Sequence, residues 1–159
     1  MTFQGSLFRL EQVVLQGYKS IREAELEIRP INVLIGANGA GKSNFVELFR
    51  LINRMMNQGL QRYVAQAGWA NQMLHYGRKT TERLGIKLVF ARGSGEFAQG
   101  YQCELIPTAE NTLVFEMERV FFHDRTQYPA PYDTPYVKLK REIRRALKRL
   151  DINAVLVTQ

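Results

Sequence analysis

Residues 36–43, which read GANGAGKS, hold the residue types that bind a polyphosphate. They satisfy the spacing G-x-x-x-x-G-K-[ST] of a phosphate-binding P-loop. Glycine keeps such a loop narrow, so that successive backbone N–H groups can surround the phosphates, and the following helix N-terminus adds a favourable dipole. Lys42 would reach the outer phosphates as a point charge, and the Ser43 hydroxyl would ligate Mg²⁺. We call residues 36–43 the glycine loop.

The segments on either side of the glycine loop are predicted to be a strand and a helix, the order that this motif requires. Residues 31–35, INVLI, are rich in β-branched and aliphatic side chains, as a buried parallel strand requires. After the loop, the apolar spacing predicts a helix over residues 42–57. The apolar residues at this helical spacing are Phe45, Leu48, Phe49, Ile52 and Met56.

Length and composition are those of one globular domain. The chain has 159 residues, of which 45% are hydrophobic and 23% charged, and its single cysteine excludes a disulfide framework within the chain. The N-terminus lacks the basic start and apolar core of a secretory signal. No apolar run approaches the length of a membrane span. We therefore expect a soluble, cytoplasmic protein with no membrane span.

The rest of the chain predicts an antiparallel arrangement around the glycine loop. Residues 7–16 and 22–29 read as two strands joined by the turn at residues 17–20, and Pro30 ends the second strand. Residues 60–79 predict a short helix followed by a loop. Three β-type runs with short linkers predict a meander. These runs cover residues 84–91, 96–106 and 111–124.

The C-terminal part is set apart by proline and by charge. Residues 128–136 form a proline-rich linker that permits neither a helix nor a central strand. Residues 137–150 predict an amphipathic helix, and residues 152–157 predict a terminal strand. The net charge is +7, and residues 138–151 alone contribute +5 of it. The basic side chains of this segment are Lys138, Lys140, Arg141, Arg144, Arg145, Lys148 and Arg149.

The first hairpin and the glycine loop together resemble the N-terminal lobe of ABC-type ATPase heads, and most of all the RecF/SMC-like and OLD-like ATPases. The matching motifs are GYKSI at residues 17–21 and GANGAGKSN at residues 36–44. The resemblance implies an α/β fold with a P-loop nucleoside triphosphate hydrolase core and an antiparallel β-meander. Residues 1–127 would form this lobe, with the linker at 128–136 and the basic helix and strand at 137–159.

The same resemblance implies that the chain binds ATP with Mg²⁺. The implied nucleotide-binding residues are Gly36, Ala37, Asn38, Gly39, Ala40, Gly41, Lys42, Ser43, Asn44, Lys19 and Ser20. Among them Lys42 would have the catalytic role and Ser43 would hold the metal. Lys19 and Ser20 would lie near the base or ribose, although a simple polar turn is an equal alternative for these two residues.

The other motifs of an ABC-type head are not evident in the sequence, so the head is predicted to be incomplete and hydrolysis is left open. The nearest match to its acidic strand ends at Asp124, with Arg125 in place of a catalytic glutamate. Asp124 is therefore a weak candidate for a Mg²⁺ ligand. Residues 93–96, GSGE, are like the signature motif but predict a hairpin turn. A weaker resemblance to ABC-transporter ATPase subunits covers the C-terminal residues, where Gln159 replaces a switch histidine.

A few other polar and aromatic residues are of types that occur in nucleotide or metal sites. Gln72 and Gln102 are alternatives for a glutamine that links metal and water. His75 and His123 are too isolated to predict a metal site. Trp69 and Tyr76 are predicted to be packing residues and not base-stacking ones.

Four kinds of partner are open besides the nucleotide: three that could complete the ATPase head, and DNA. The missing motifs could come from a second copy of the chain, from another ATPase lobe or from a polypeptide that this chain regulates. A different class of function is also open, namely a nucleic-acid interaction module in which the basic segment at residues 138–149 contacts DNA phosphates.

The DNA alternative predicts a steep dependence on salt. Because contacts of several Lys and Arg side chains to phosphates release counterions, DNA affinity should fall sharply with ionic strength. Deleting residues 137–159 should abolish DNA binding and leave ATP binding unchanged, as measured by titrations of DNA and ATP at two salt concentrations. DNA binding that survives the deletion would contradict the alternative.

Overall fold

The computed structural model of the chain describes residues 9–92 and 94–133, which form a two-layer arrangement of helices on one antiparallel sheet. The strands are β1 (Arg9–Tyr18), β2 (Ile21–Glu27), β3 (Leu84–Arg92), β4 (Phe97–Pro107), β5 (Leu113–Asp124) and β6 (Tyr132–Asp133). The helices are α1 (Lys42–Met56), α2 (Leu60–Gln66) and α3 (Trp69–Met73). The sheet order is β2-β1-β3-β4-β5-β6.

Both predicted antiparallel units are confirmed and share this one sheet. β1 and β2 form the first hairpin, and β3, β4 and β5 form the meander. β1 also pairs with β3, with Val13 opposite Leu88, which joins the two units edge to edge. The predicted hairpin turn after β3 is confirmed for residues 94–96. A mixed α/β fold with an antiparallel sheet is thus what these residues form.

The hydrophobic core lies between the sheet and the three helices. Alternate residues of β1 point into it, among them Val13 and Leu15, because side chains alternate between the two faces of a strand. On α1 the buried residues are Leu48, Leu51, Ile52, Met55 and Met56, which follow the predicted helical period. The helix ends one residue before the predicted end. The core therefore fixes α1, and with it the exit of the glycine loop, against the sheet.

Residues 60–79, predicted to be a short helix followed by a loop, contain two short helices, α2 and α3, both packed on the same core. The left-handed residue Gly68 separates them, at φ 90°. Leu60, Val64 and Ala70 are buried. The chain then crosses the end of the sheet, where Leu74 makes an isolated bridge to Tyr18.

The prediction that residues 31–35 form a buried parallel strand is wrong for the described part of the chain. Among these residues Leu34 alone is in a β-bridge, and Ile31, Val33 and Ile35 are 84%, 58% and 68% exposed. A parallel strand is buried only when strands flank it and helices cover both faces. In the described sheet β1 pairs with β2 on one side and with β3 on the other, so residues 31–35 do not flank β1.

Polar contacts join the strands at the end of the sheet where β1 begins and β5 ends. Arg125 donates two hydrogen bonds to the Glu11 carboxylate, one of 2.6 Å, and the guanidinium holds the pKa of Glu11 below its usual range. Asp124 is buried, and its carboxylate accepts hydrogen bonds from the backbone N–H and hydroxyl of Thr126. β6 is an edge strand of two residues, as the prolines around it permit.

Other predictions fall partly or wholly outside the described residues. The basic segment 138–149, the helix at 137–150, the strand at 152–157 and Gln159 all lie there.

No helix in the described part of the chain is both long and apolar enough to cross a membrane. Cys103 is buried in the core, and burial raises the pKa of its thiol to about 12.

Gly100 in β4 gives a test of the sheet's outer face. A Cβ at this position would lie 1.8 Å from Cζ of Phe121, a ring that also contacts Lys87 and Arg119. Because the ring must leave its place, Gly100→Ala should lower the free energy of unfolding by about 1–3 kcal/mol, measured by urea denaturation.

Gly85→Ala is the matched control. Its Cβ would lie 3.6 Å from the nearest atom, in ordinary contact with Gln16. We expect a change within about 1 kcal/mol, and in the stabilising direction, because alanine reduces the entropy of the unfolded chain. Equal effects at both glycines would contradict the overpacking at Phe121.

Candidate nucleotide-binding site

The glycine loop enters α1 through backbone conformations that favour glycine. Gly39 has φ 84° and Gly41 has φ 93°, both in the left-handed region. The N–H of Ala40 donates to the carbonyl of Ala37, closing a tight turn at 3.2 Å. The first helical bond follows at once, from Phe45 N–H to the Gly41 carbonyl. The loop therefore turns directly into the first turn of α1.

The start of α1 has free hydrogen-bond donors in the described structure. Its N-cap, Gly41, makes no side-chain cap, and the first turn has no acidic residue. The first backbone N–H groups of a helix have no partner within the helix, and the helix dipole gives this end a partial positive charge. Together these features favour an anion at the N-terminus of α1.

Lys42 lies folded over the glycine loop. Its ammonium donates to the carbonyl of Gly36 and to that of Ala37, the latter at 2.9 Å. The charged group thus sits where the loop's carbonyls converge, beside the turn that contains Gly39. Ser43 is exposed at the start of α1. Lys42 and Ser43 are the first two residues of α1, directly after Gly41, and their roles toward a nucleotide stay predictions.

The cradle has room on its open side. A Cβ built on Gly39 would meet no atom within 4 Å, whereas one on Gly41 would lie 2.9 Å from Ile21 Cγ1 and 3.1 Å from Ser20 Oγ. Gly41 is therefore the point of close contact with the β1–β2 turn, and Gly39 faces open space. Ala37, Asn38 and Ala40 are exposed along the same rim. These residues fit a phosphate group.

Lys19 and Ser20 do lie beside the glycine loop, in the β1–β2 turn. Ser20 Oγ accepts a hydrogen bond of 2.7 Å from Asn44 Nδ2, which ties the turn to α1. The Lys19 ammonium forms an ion pair with Glu47 one helical turn further on. The structure therefore groups all the predicted binding residues at one end of the sheet, and the expected contacts of Lys19 and Ser20 with a nucleotide stay predictions.

Asp124, the sequence candidate for a Mg²⁺ ligand, lies far from the glycine loop. Asp124 as a Mg²⁺ ligand is wrong, because it pairs with Phe97 at the Arg9 end of the sheet, whereas Ser43 is at the Tyr18 end. The ten residues of β1 span roughly 30 Å between these ends. No group of three or more His, Cys, Asp or Glu side chains that could hold a metal occurs in residues 9–92 and 94–133.

Of the two glutamines, Gln72 is near the site. It lines a pocket with Lys19, whereas Gln102 lies in the middle of β4 opposite Lys87 and Arg119. His75 is a structural residue in the described chain, since its ring Nδ1 bonds the Lys19 carbonyl at 2.8 Å. The prediction that Trp69 and Tyr76 are packing residues is wrong for Tyr76, whose side chain is 83% exposed. Trp69 is 49% exposed and is therefore packed on part of its surface only.

Sequence reasoning missed the contact between residues 73–77 and the β1–β2 turn. The Lys19 N–H donates to the Met73 carbonyl at 2.9 Å, and the His75 N–H donates to the Gly17 carbonyl at 3.1 Å. Glu47, the partner of Lys19, was also missed. Its spacing from Lys42 along α1 gives no signal, because the ion pair depends on how the turn packs on the helix.

The family comparison gives the class of protein, a nucleotide-binding ATPase domain. Residues 9–119 match the AAA ATPase domain family, and the chain belongs to that family. Over 99 residues the chain is also 31% identical to urease accessory protein 2 of Cryptococcus neoformans var. grubii. That match covers 58% of this chain and 8% of the fungal protein, so the chain spans a small part of that curated relative.

Gly41 and Gly39 provide a matched test of how the loop is held. Both are left-handed, so alanine is strained at either position, at about 1 kcal/mol. Gly41→Ala also pushes Ile21 and Ser20 away from α1, so it should lower the free energy of unfolding by clearly more than Gly39→Ala does. Thermal or urea unfolding of the two variants measures the difference. A larger loss for Gly39→Ala would contradict the packing of the turn on the helix.

Proposed function

We propose that this chain binds Mg-ATP in the glycine loop and forms part of an ABC-type ATPase head of the RecF/SMC-like or OLD-like kind. The observation that carries the proposal is the position of Lys42, whose ammonium is held at the Gly36 and Ala37 carbonyls over an uncapped helix N-terminus. A cation and free N–H groups directed at one open cradle suit a polyphosphate.

The binding step exchanges weak partners of Lys42 for stronger ones. Its two acceptors are neutral carbonyl oxygens of the loop. Phosphate oxygens are ionised acceptors, and hydrogen bonds between two charged groups are shorter and stronger than those to a neutral acceptor. Lys42 would therefore leave the carbonyls for the outer phosphates, while the N–H groups at the start of α1 bind the inner ones.

Mg²⁺ would be held by few protein atoms. Magnesium sites that act on phosphates commonly use one or two protein ligands, the substrate phosphates and several waters. Ser43 presents its hydroxyl in the first turn of α1, exposed and next to Lys42. When bound, the ion would neutralise charge on the phosphates. Ser43 would supply one oxygen ligand to the ion, beside phosphates bound at the helix N-terminus.

Hydrolysis to ADP and phosphate requires groups that act on water, and we propose that a second copy of this chain or another ATPase lobe supplies them. Within the described residues Glu47 is paired with Lys19, and Asp124 is at the other end of the sheet. Phosphoryl transfer depends on positioning and charge neutralisation, so a cradle without a water-orienting group binds better than it reacts. DNA contact through the basic segment 138–149 stays a separate proposal, based on the concentration of charge there.

The decisive measurement is Mg-ATP binding by calorimetry for the wild type and Lys42→Ala. Losing the charge-assisted bonds of Lys42 should weaken binding by about tenfold or more. Lys87→Ala is the matched control, because it removes the same charge from the outer face of the sheet, over the Phe121 ring. Its affinity should equal that of the wild type.

Two results would contradict the proposal. Equal affinity of wild type and Lys42→Ala would show that ATP does not use the glycine loop. Equal weakening by Lys42→Ala and Lys87→Ala would show that net charge, and not the loop, determines binding. Unfolding curves of both variants, measured without nucleotide, ensure that only folded protein is compared.

A further inference from the structure

An open pocket of about 500 Å³ lies against the β1–β2 turn, where Lys19 forms part of its lining. Its lining residues are Lys19, Ala67, Asn71, Gln72, Leu74, Tyr76 and Gly77. Lys19 belongs to this pocket, and the next residue, Ser20, contacts Asn44 beside the loop. The turn is therefore a wall shared by the pocket and the cradle.

Tyr76 stands at this pocket as an aromatic ring with little protein around it. The side chain is 83% exposed, and its ring meets the His75 ring at a centroid distance of 4.4 Å. Among the described residues it is the most exposed aromatic side chain. A flat apolar surface is thus presented to solvent beside the polar side chains of Asn71 and Gln72.

The backbone holds Tyr76 in place on both sides. His75 bonds Gly17 through its N–H and Lys19 through its ring nitrogen, and the Thr81 hydroxyl donates to the His75 carbonyl. On the other side, the Arg78 N–H donates to the Asn71 side-chain oxygen at 3.2 Å. The ring therefore stands on a segment that is pinned to the β1–β2 turn and to α3.

Two residues of the pocket lining have a left-handed backbone that is unusual for their side chains. Five non-glycine residues in the described chain have positive φ, and two of them, Lys19 at 48° and Tyr76 at 54°, line the pocket. Such conformations are rare for side chains of this size, and they persist only where the surrounding structure enforces them. They cluster at ligand-binding sites in proteins.

We propose that this pocket receives the base of the nucleotide whose phosphates occupy the glycine loop, with the Tyr76 ring stacked on the base. The inference rests on the proposed function and adds the element that recognises the base. Base–aromatic stacking needs only a flat exposed ring, which Tyr76 provides. The Gln72 carboxamide, exposed in the same pocket, has both a donor and an acceptor for the edge of a base.

The test compares ATP with inorganic tripolyphosphate, each with Mg²⁺, by calorimetry on the full chain. Tripolyphosphate has the phosphates and no base, so it reports the glycine loop alone. Tyr76→Ala should weaken ATP binding roughly 5- to 100-fold, the range for losing one stacking contact, and leave tripolyphosphate binding unchanged. Tyr76→Phe, which keeps the ring, should bind ATP as the wild type does.

Trp69→Ala is the matched control, because Trp69 is also an exposed, left-handed aromatic residue but does not line the pocket. It should bind both ligands as the wild type does. Lys42→Ala should weaken both ligands, which separates the loop from the pocket.

Each contrary outcome has a distinct meaning. If Tyr76→Ala binds ATP as well as the wild type, or loses both ligands equally, the base pocket is disproved, while the proposed function stands as long as Lys42→Ala weakens ATP. If the wild type binds neither ligand, the proposed function fails and the base pocket fails with it. Tyr76 is exposed, so its variants should keep the wild-type melting temperature.

Discussion

The contact between the β1–β2 turn and the start of α1 is the constraint on which the site depends. Gly41 has no side chain, so Ile21 and Ser20 can approach the helix at a distance where a Cβ would collide. The Ser20–Asn44 hydrogen bond and the Lys19–Glu47 ion pair then fix the turn along the first two turns of α1. The contact adds a second attachment of the glycine loop to the sheet, besides the packing of α1 on the core, because residues 31–35 contribute a β-bridge at Leu34 and no longer strand.

The core explains why this contact can be maintained. α1 buries five residues against the sheet, and β1 pairs on both sides with antiparallel neighbours. Both partners of the contact are therefore held by burial of apolar area, which is the dominant stabilising term in folding. The polar bonds at Ser20 and Lys19 are partly exposed, so their main effect is on geometry, and each adds little to stability.

Much of the fold was predictable because its signals are local. The alternation of residues 22–29, the short linkers of the meander and the helical period of Leu48 and Ile52 each depend on neighbouring residues in the chain. The glycine loop was predictable for the same reason, since its spacing is contained in eight residues. By contrast, the burial of Ile31 and Val33 depends on which strands flank them, and the local sequence does not specify these neighbours.

The site features that sequence reasoning missed are those made by long-range packing. Nothing near Tyr76 in the sequence shows that its ring is exposed, and nothing near Glu47 shows that Lys19 is its partner. Both follow from the way residues 73–77 cross the end of the sheet and bond to Gly17 and Lys19.

The two ends of the sheet differ in how far their polar groups are satisfied by other protein groups. At the Arg9 end, Arg125 pairs with Glu11 and Asp124 accepts two bonds from Thr126, so the polar groups there satisfy one another. At the Tyr18 end, the N-terminus of α1 has no side-chain cap and the Tyr76 ring is exposed to solvent. Lys19 and Tyr76 also have left-handed backbones at this end. Because strained and unsatisfied groups persist only when the rest of the structure compensates for them, the closed end and the core make the open end possible.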